Sequence, residues 1–359
     1  MPQRLQRVFV KIKSSLFENK NARQTVAKNF FWLSFGQLGS RLIRAVIIVY
    51  AARVLGAADY GVFSYLMGIA GFFTIFTDIG IGSVMTRETA KKPQEKSYYF
   101  ATGFWIKAAL SLVVVLIIIF GTPYLTKIEA AKALLPIIAI LVVFDGMRDF
   151  ILSFFVASEK MEWQAIITFL TNILVTVLGF IALYLSPSAK NLTIMYTLAV
   201  VIGAIVAIAI LWKEFLKIFS HFKKSLIKPI MESALPIAFL GAIGAFMLNT
   251  DFVMLGWWQN AEAIGYYSAG QKIVQILYIL PALFATAIFP QISRLIGQDN
   301  REKIRYLMEK SLGMMFMFAL PATIGGIILA KPIINLLYGA SYSASILNFQ
   351  VLMLSLIHI

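Results

Sequence analysis

Cysteine is absent from this chain, histidine occurs only twice, and charged residues fill just 14% of its 359 positions. The first absence removes disulfides, thiolate metal ligands and cysteine nucleophiles in one step. The two histidines, His221 and His358, supply neither a zinc site nor a catalytic triad, so no metal, no cofactor and no catalytic residue is expected. A Walker-type glycine-rich phosphate loop is also missing, which excludes ATP as the direct energy source. The shortage of charge excludes more. A soluble domain carries about 25% charged and about 45–50% apolar residues, whereas hydrophobic residues here reach 60%. So few charges cannot cover a water-facing surface, and the solvent for most side chains must be lipid.

What is present is a series of apolar runs, each near the ~20 residues that a helix needs to cross a bilayer. They fall at 30–53, 60–85, 99–121, 133–156, 163–185, 191–212, 234–256, 263–288, 307–330 and 344–359, and predict an all-α polytopic membrane protein of about ten helices. No gap between them is long enough for a separate catalytic domain. That argues against an enzyme such as an oligosaccharide polymerase or a glycosyltransferase.

The formal charge of +15 raises the question of nucleic acid, and the placement of the basic residues answers it. Of the 32 Lys and Arg, 23 fall in the alternate segments 1–28, 86–98, 145–162, 213–231 and 289–310. The opposite turns hold five, Arg53, Lys127, Lys132, Lys190 and Lys331. This asymmetry predicts a multi-pass protein of the cytoplasmic (inner) membrane with a cytoplasmic N-terminus. The partner of the charge is then membrane lipid, with no nucleic acid.

Laying the segment after the first span over the segment after the seventh, at a shift of about 204 residues, exposes an internal repeat. AADYGVFSYLMGI at 57–69 sits over AEAIGYYSAGQKI at 261–273, pairing Gly61 with Gly265 and Ser64 with Ser268. Both copies run through one span into basic ends, TRETAKKPQEK from Thr86 and SRLIGQDNREK from Ser293. A shared orientation requires an even number of helices per copy, which predicts a parallel six-helix repeat with a pseudo-two-fold along the membrane normal. The organisation expected is a basic cytoplasmic segment 1–28, a first bundle 29–212, a basic cytoplasmic linker and hinge 213–231, and a second bundle 232–359. The second bundle stops within its fourth helix, at SLIHI, so the repeat predicts at least two further helices.

Three stretches are recognisable: ARVLGAADYG joining the first two spans, TDIGIGSVMTRETA closing the second, and LLYGASYSASILNFQVLMLSL before the tenth. The chain resembles the polysaccharide-export flippases of the multidrug/oligosaccharidyl-lipid/polysaccharide exporter superfamily over nearly all of its length after the basic tail. The resemblance implies 12–14 helices in two pseudo-symmetric bundles around a central cavity. It also implies a transporter of undecaprenyl-diphosphate-linked oligosaccharide working by alternating access. The driving force would be H+ or Na+, or downstream polymerisation, which makes polysaccharide polymerase machinery an expected partner. The alternative is a cation-coupled multidrug exporter of the same superfamily, whose cationic substrates a basic cavity would repel.

Transport of such a lipid must hide a diphosphate and a wet glycan from hydrocarbon, so a cationic interior is the feature to seek. Arg41 and Arg44 lie three residues apart in the first span and share one helix face at membrane depth. Guanidinium matches phosphate bidentately, which makes the two arginines candidates for the diphosphate. A purely structural role, bonded to Asp78 or to neighbouring carbonyls, is the competing reading. Lys272, with Gln271 and Gln275, is the second candidate for contact with diphosphate or glycan. Asp251, in the seventh span, lies at similar depth. It is expected either to pair with Lys272 or, with Asn249 and with Asp78, to form an ion-coupling site for H+ or Na+. Lys107 is placed to snorkel to the cytoplasmic surface. Asp145, Arg148 and Asp149 are read as charges at a cytoplasmic helix end. The tryptophans at 105, 163, 212, 257 and 258 are expected at the membrane interfaces.

Overall fold

The computed structural model describes residues 22–278 and 300–358, with isolated positions between 281 and 298. Most of the basic N-terminal segment, Ser293 and Pro290 lie outside the described residues. Among those described every regular element is helical, because a backbone surrounded by hydrocarbon must close its hydrogen bonds within its own segment. The longer helices are α1 (Ala22–Asp78), α2 (Ile81–Lys91), α3 (Lys96–Leu125), α4 (Leu135–Ala157), α5 (Met161–Leu185) and α6 (Ala189–Ile210). They are followed by α7 (Ile227–Trp258), α8 (Ala261–Leu277), α9 (Arg301–Ile328), α10 (Ala330–Tyr338) and α11 (Ser345–Leu354).

Six helical runs are long and apolar enough to cross a membrane, the first being Phe31–Lys91 with 61 residues. At 1.5 Å per residue that run is about 90 Å long, against a hydrocarbon core of about 30 Å, so it must turn back on itself. It does so through two breaks. Gly56 leaves helical geometry at φ 69°, and no atom lies within 4 Å of where its Cβ would be. Glycine is therefore required there by backbone conformation and not by space. This break separates the predicted spans 30–53 and 60–85. The second break is at Ile79 and Gly80, with φ 40° and 82°. A β-branched residue in the left-handed region costs about 1–2 kcal/mol, which the packing around it must hold in place.

The chain divides into two compact units, one of residues 22–51 and 62–260, the other of residues 52–61 and 261–358. Packing thus groups α7 with the first unit, whereas the repeat proposes a boundary at 213–231. In the first unit Ile81 and Met85 of α2, Phe100 of α3, Phe150 and Phe154 of α4, and Ile230 and Ala234 of α7 form one buried cluster. Phe100 and Phe150 stack with centroids 5.4 Å apart. Lipid is as apolar as these side chains, so van der Waals fit holds them together more than expulsion from water does.

Phe215, Ile218 and Leu226, from the segment 212–226, pack into the same cluster. Ile218 is buried in it, Trp105 Nε1 donates to the Ile218 carbonyl at 3.2 Å, and the Lys223 N–H donates to Thr102 Oγ1 at 3.1 Å. The segment is a strap fastened across the start of α3. Helix α1 also begins at Ala22, inside the predicted basic segment. Lys28 is not a solvated base: it is buried and paired with Glu162 of α5 at 3.0 Å.

The second unit is closed by reciprocal backbone contact. A Cβ on Gly61 would lie 1.7 Å from the Ala261 carbonyl oxygen, and a Cβ on Gly265 would lie 2.0 Å from that of Ala57. These are the residues that the repeat makes equivalent, Ala57 with Ala261 and Gly61 with Gly265, so the two copies of the motif meet each other symmetrically. Arg53 caps the C-terminal end of α10 with its guanidinium on the Leu336 and Leu337 carbonyls. Tyr342 donates to the Ala52 carbonyl at 2.8 Å, and its ring packs near those of Tyr60, Tyr266 and Tyr338.

Candidate functional site

Within the first unit, α1, α3, α4 and α5 bring together more buried charge than membrane helices usually carry. Arg44 is half-buried, and its Nε donates to Asn172 Oδ1 at 2.9 Å. The Asn172 amide nitrogen donates in turn to the Thr168 carbonyl at 2.8 Å, which fixes the oxygen toward the arginine. Arg41, on the same face of α1, is exposed. Asp78 is not the partner of either arginine. Its carboxylate takes Lys107 Nζ at 3.3 Å, and the same ammonium donates to the Thr77 carbonyl at 3.2 Å.

Lys107 therefore does not snorkel. It is fully buried, and one side chain neutralises Asp78 and caps the last turn of α1 just before the strained Ile79–Gly80 break. Gly146 of α4 makes room for it: a Cβ there would stand 2.5 Å from Thr77 Oγ1 and 3.4 Å from Lys107 Nζ. Two residues along α4, Arg148 reaches Asp145 at 2.7 Å and Asp149 at 2.8 Å with one nitrogen. Arg148 is 8% exposed, so it is no surface charge at a helix end. Lys107 with Asp78, and Arg148 with Asp145 and Asp149, thus place paired charge in this unit beside Arg44.

The other predicted residues fall in two places. Asn249 and Asp251, on α7, belong to the first unit. Asn249 Nδ2 donates to the Ala245 carbonyl at 3.2 Å, its side chain packs beside Gly71, and Asp251 Oδ1 accepts from the Phe252 N–H at 2.9 Å. Gln271, Lys272 and Gln275 lie on α8 in the second unit, with Lys272 Nζ 3.4 Å from Gln275 Oε1 and Gln271 buried. That unit also holds a cavity of about 200 Å³ beside Leu277, Phe284, Leu312, Phe316 and Leu356. Among the described residues its lining is mostly apolar.

The Lys107–Asp78 pair had a signal in the sequence. The two residues are equidistant from the middle of the 86–98 turn, as facing residues of an antiparallel hairpin must be. Asn172 gave none, being one amide among many polar side chains.

Helices long and apolar enough to cross a membrane, carrying paired charge between them, define the class of polytopic helical membrane proteins. A family model described as polysaccharide biosynthesis protein matches residues 26–296, and one described as MatE matches residues 236–357. The chain belongs to the polysaccharide-export flippase family of the multidrug/oligosaccharidyl-lipid/polysaccharide exporter superfamily. Among curated relatives, it is 22% identical over 332 residues to the probable flippase AglR of Haloferax volcanii, covering 87% of this chain and 64% of that protein. It is 24% identical to a putative O-antigen transporter of Shigella flexneri, covering 90% of this chain and 79% of that protein. It shares its fold with the lipid II flippase MurJ in an inward closed conformation, with TM-score 0.67 and 19% identity over 90% of this chain and 72% of that one.

Proposed function

We propose that this protein moves undecaprenyl-diphosphate-linked oligosaccharide across the cytoplasmic membrane by alternating access. The observation that carries this reading is the arginine pair on α1. Arg44 is oriented by Asn172, leaving the rest of its guanidinium to act, while Arg41 is exposed on the same face. A diphosphate would find guanidinium donors there, in a medium where each charge-assisted hydrogen bond counts for more than in water. The names of AglR and of the Shigella transporter support the substrate class. Gln271, Lys272 and Gln275 are the proposed glycan and phosphate contacts of the second unit. Asp251, Asn249 and Asp78 are the proposed groups for H+ or Na+ coupling.

The match of residues 236–357 to MatE supports a second reading, export of a drug coupled to a cation. The basic pair on α1 weighs against it, since cationic drugs would be repelled.

Reconstituted vesicles test the first reading. Replacing Arg41→Ala together with Arg44→Ala removes two charged contacts of about 1.5–3 kcal/mol each, so transfer of lipid-linked sugar is expected to fall at least about 100-fold. Undiminished transfer would remove the diphosphate role. In the same vesicles, single cysteines at Ser188 and Lys224 are expected to label from opposite sides, Lys224 from the cytoplasmic one; labelling of both from one side would overturn the topology, and labelling of Lys224 from outside would overturn the cytoplasmic N-terminus.

A further inference from the structure

The strap across α3 has an inner and an outer face of different chemistry. The inner face is built. Phe215 packs on Phe100 and Phe104 at 5.6 and 5.5 Å, and Glu214 accepts from Ser97 Oγ at 2.7 Å. His221 and Lys223 both lie against the Tyr98 ring, at 4.8 and 3.7 Å. The outer face is left over: Trp212, Leu216 and Phe219 are 56%, 64% and 75% exposed, and Phe222 is exposed beside them.

Lysine accompanies these apolar groups. Residues 212–228 contain Lys213, Lys217, Lys223, Lys224 and Lys228 against the single carboxylate of Glu214. That carboxylate is engaged by Ser97 and by Lys217 at 3.2 Å, whereas Lys213 and Lys224 stand exposed. A water-facing loop has no use for a fixed row of exposed Trp, Leu and Phe. Aromatic and aliphatic groups interleaved with lysine are what the boundary between headgroups and acyl chains accepts.

We propose that the outer face of the strap lies in that boundary and binds the headgroups of anionic phospholipid through Lys213 and Lys224, with Leu216 and Phe219 inserted beside them. The proposal rests on the cytoplasmic orientation given above, because anionic lipid enriches that leaflet. It does not depend on what the protein transports. The anchors to Trp105, Thr102 and Tyr98 hold this face in place, so lipid binding costs little ordering of the chain.

The test uses the whole chain in nanodiscs and reads lipid association, not transport, so its failure is separable from failure of the flippase reading. With a nitroxide on Leu216→Cys, in a chain free of other cysteines, the label is expected to be open to oxygen and shielded from a water-soluble nickel chelate. Equal exposure to both would place the strap in water and overturn the proposal. Wild-type protein is expected to enrich spin-labelled phosphatidylglycerol over phosphatidylcholine in its boundary layer. Lys213→Gln with Lys224→Gln should reduce that preference by about five-fold for each lysine removed. An unchanged preference in the double variant overturns the assignment to these lysines. Loss of the wild-type preference on adding inorganic phosphate would identify a soluble-phosphate site and overturn the lipid assignment.

Discussion

The two compact units are made of comparably apolar helices yet hold together by different means. The first holds ion pairs in which the basic member is buried, Lys107 with Asp78, Arg148 with Asp145 and Asp149, and Lys28 with Glu162. The second is drawn together by backbone contact at Gly61 and Gly265 and by the Tyr342 hydroxyl, with its polar residues Gln271, Lys272 and Gln275 carried on α8. A buried ion pair is often no more stable than apolar residues of the same shape. Stability alone therefore does not account for the paired charges of the first unit. That contrast supports a working role for them.

Three changes would break or sharpen the contrast. The largest effect is expected from Asp78→Ala, which strands a fully buried ammonium and should destabilise the protein by about 3–5 kcal/mol in detergent unfolding. Adding Lys107→Met should restore most of the loss. If the single variant unfolds like wild type, the pair does not hold the first unit. Next is Gly265→Ala, where the new methyl must push apart two backbones, at about 1–3 kcal/mol. Gly244→Ala is its control, since a Cβ there meets nothing within 4 Å and should be neutral or slightly stabilising.

The smallest effect concerns pH. Burial pushes the Glu214 carboxyl upward, but hydrogen bonds from Ser97 and Lys217, with the charges of Lys217 and Lys96, outweigh it and hold the group below its usual range. A carboxyl depressed in the folded state stabilises it above the unfolded value of about 4.3, and that contribution is lost as pH falls through the depressed folded value. A nitroxide on Ser220→Cys should thus gain mobility in acid as the strap loosens. Glu214→Gln should abolish that dependence, and a response that survives it would assign the effect elsewhere.

Much of this was legible before any coordinates. The crossing helices and the gap between the spans 30–53 and 60–85 follow from apolar run length, and an ordered repeat singles out Gly61 and Gly265 as equivalent, though not as neighbours. The charges were harder. Counting residues from a helix end places Lys107, Arg148 and Lys28 in depth but does not say which face of the helix carries them, and a short distance to the surface then reads as solvation. Burial of Lys28 depends on Glu162, 134 positions away, a relation that local pattern does not encode. The fastening of the strap was hidden from the sequence for a similar reason. Its lysines read as a solvated run, while the grip of Trp105 and Tyr98 on Ile218, His221 and Lys223 is purely tertiary.

The symmetric glycine contact reaches beyond present stability. Residue 61 touches 261 as residue 265 touches 57, so the two stretches offer each other the same patch, which is the geometry by which identical subunits form a closed pair. Both partners of this joint are carried on one chain, so the contact holds at any protein concentration, and a side chain added on either stretch would press on the equivalent backbone of the other.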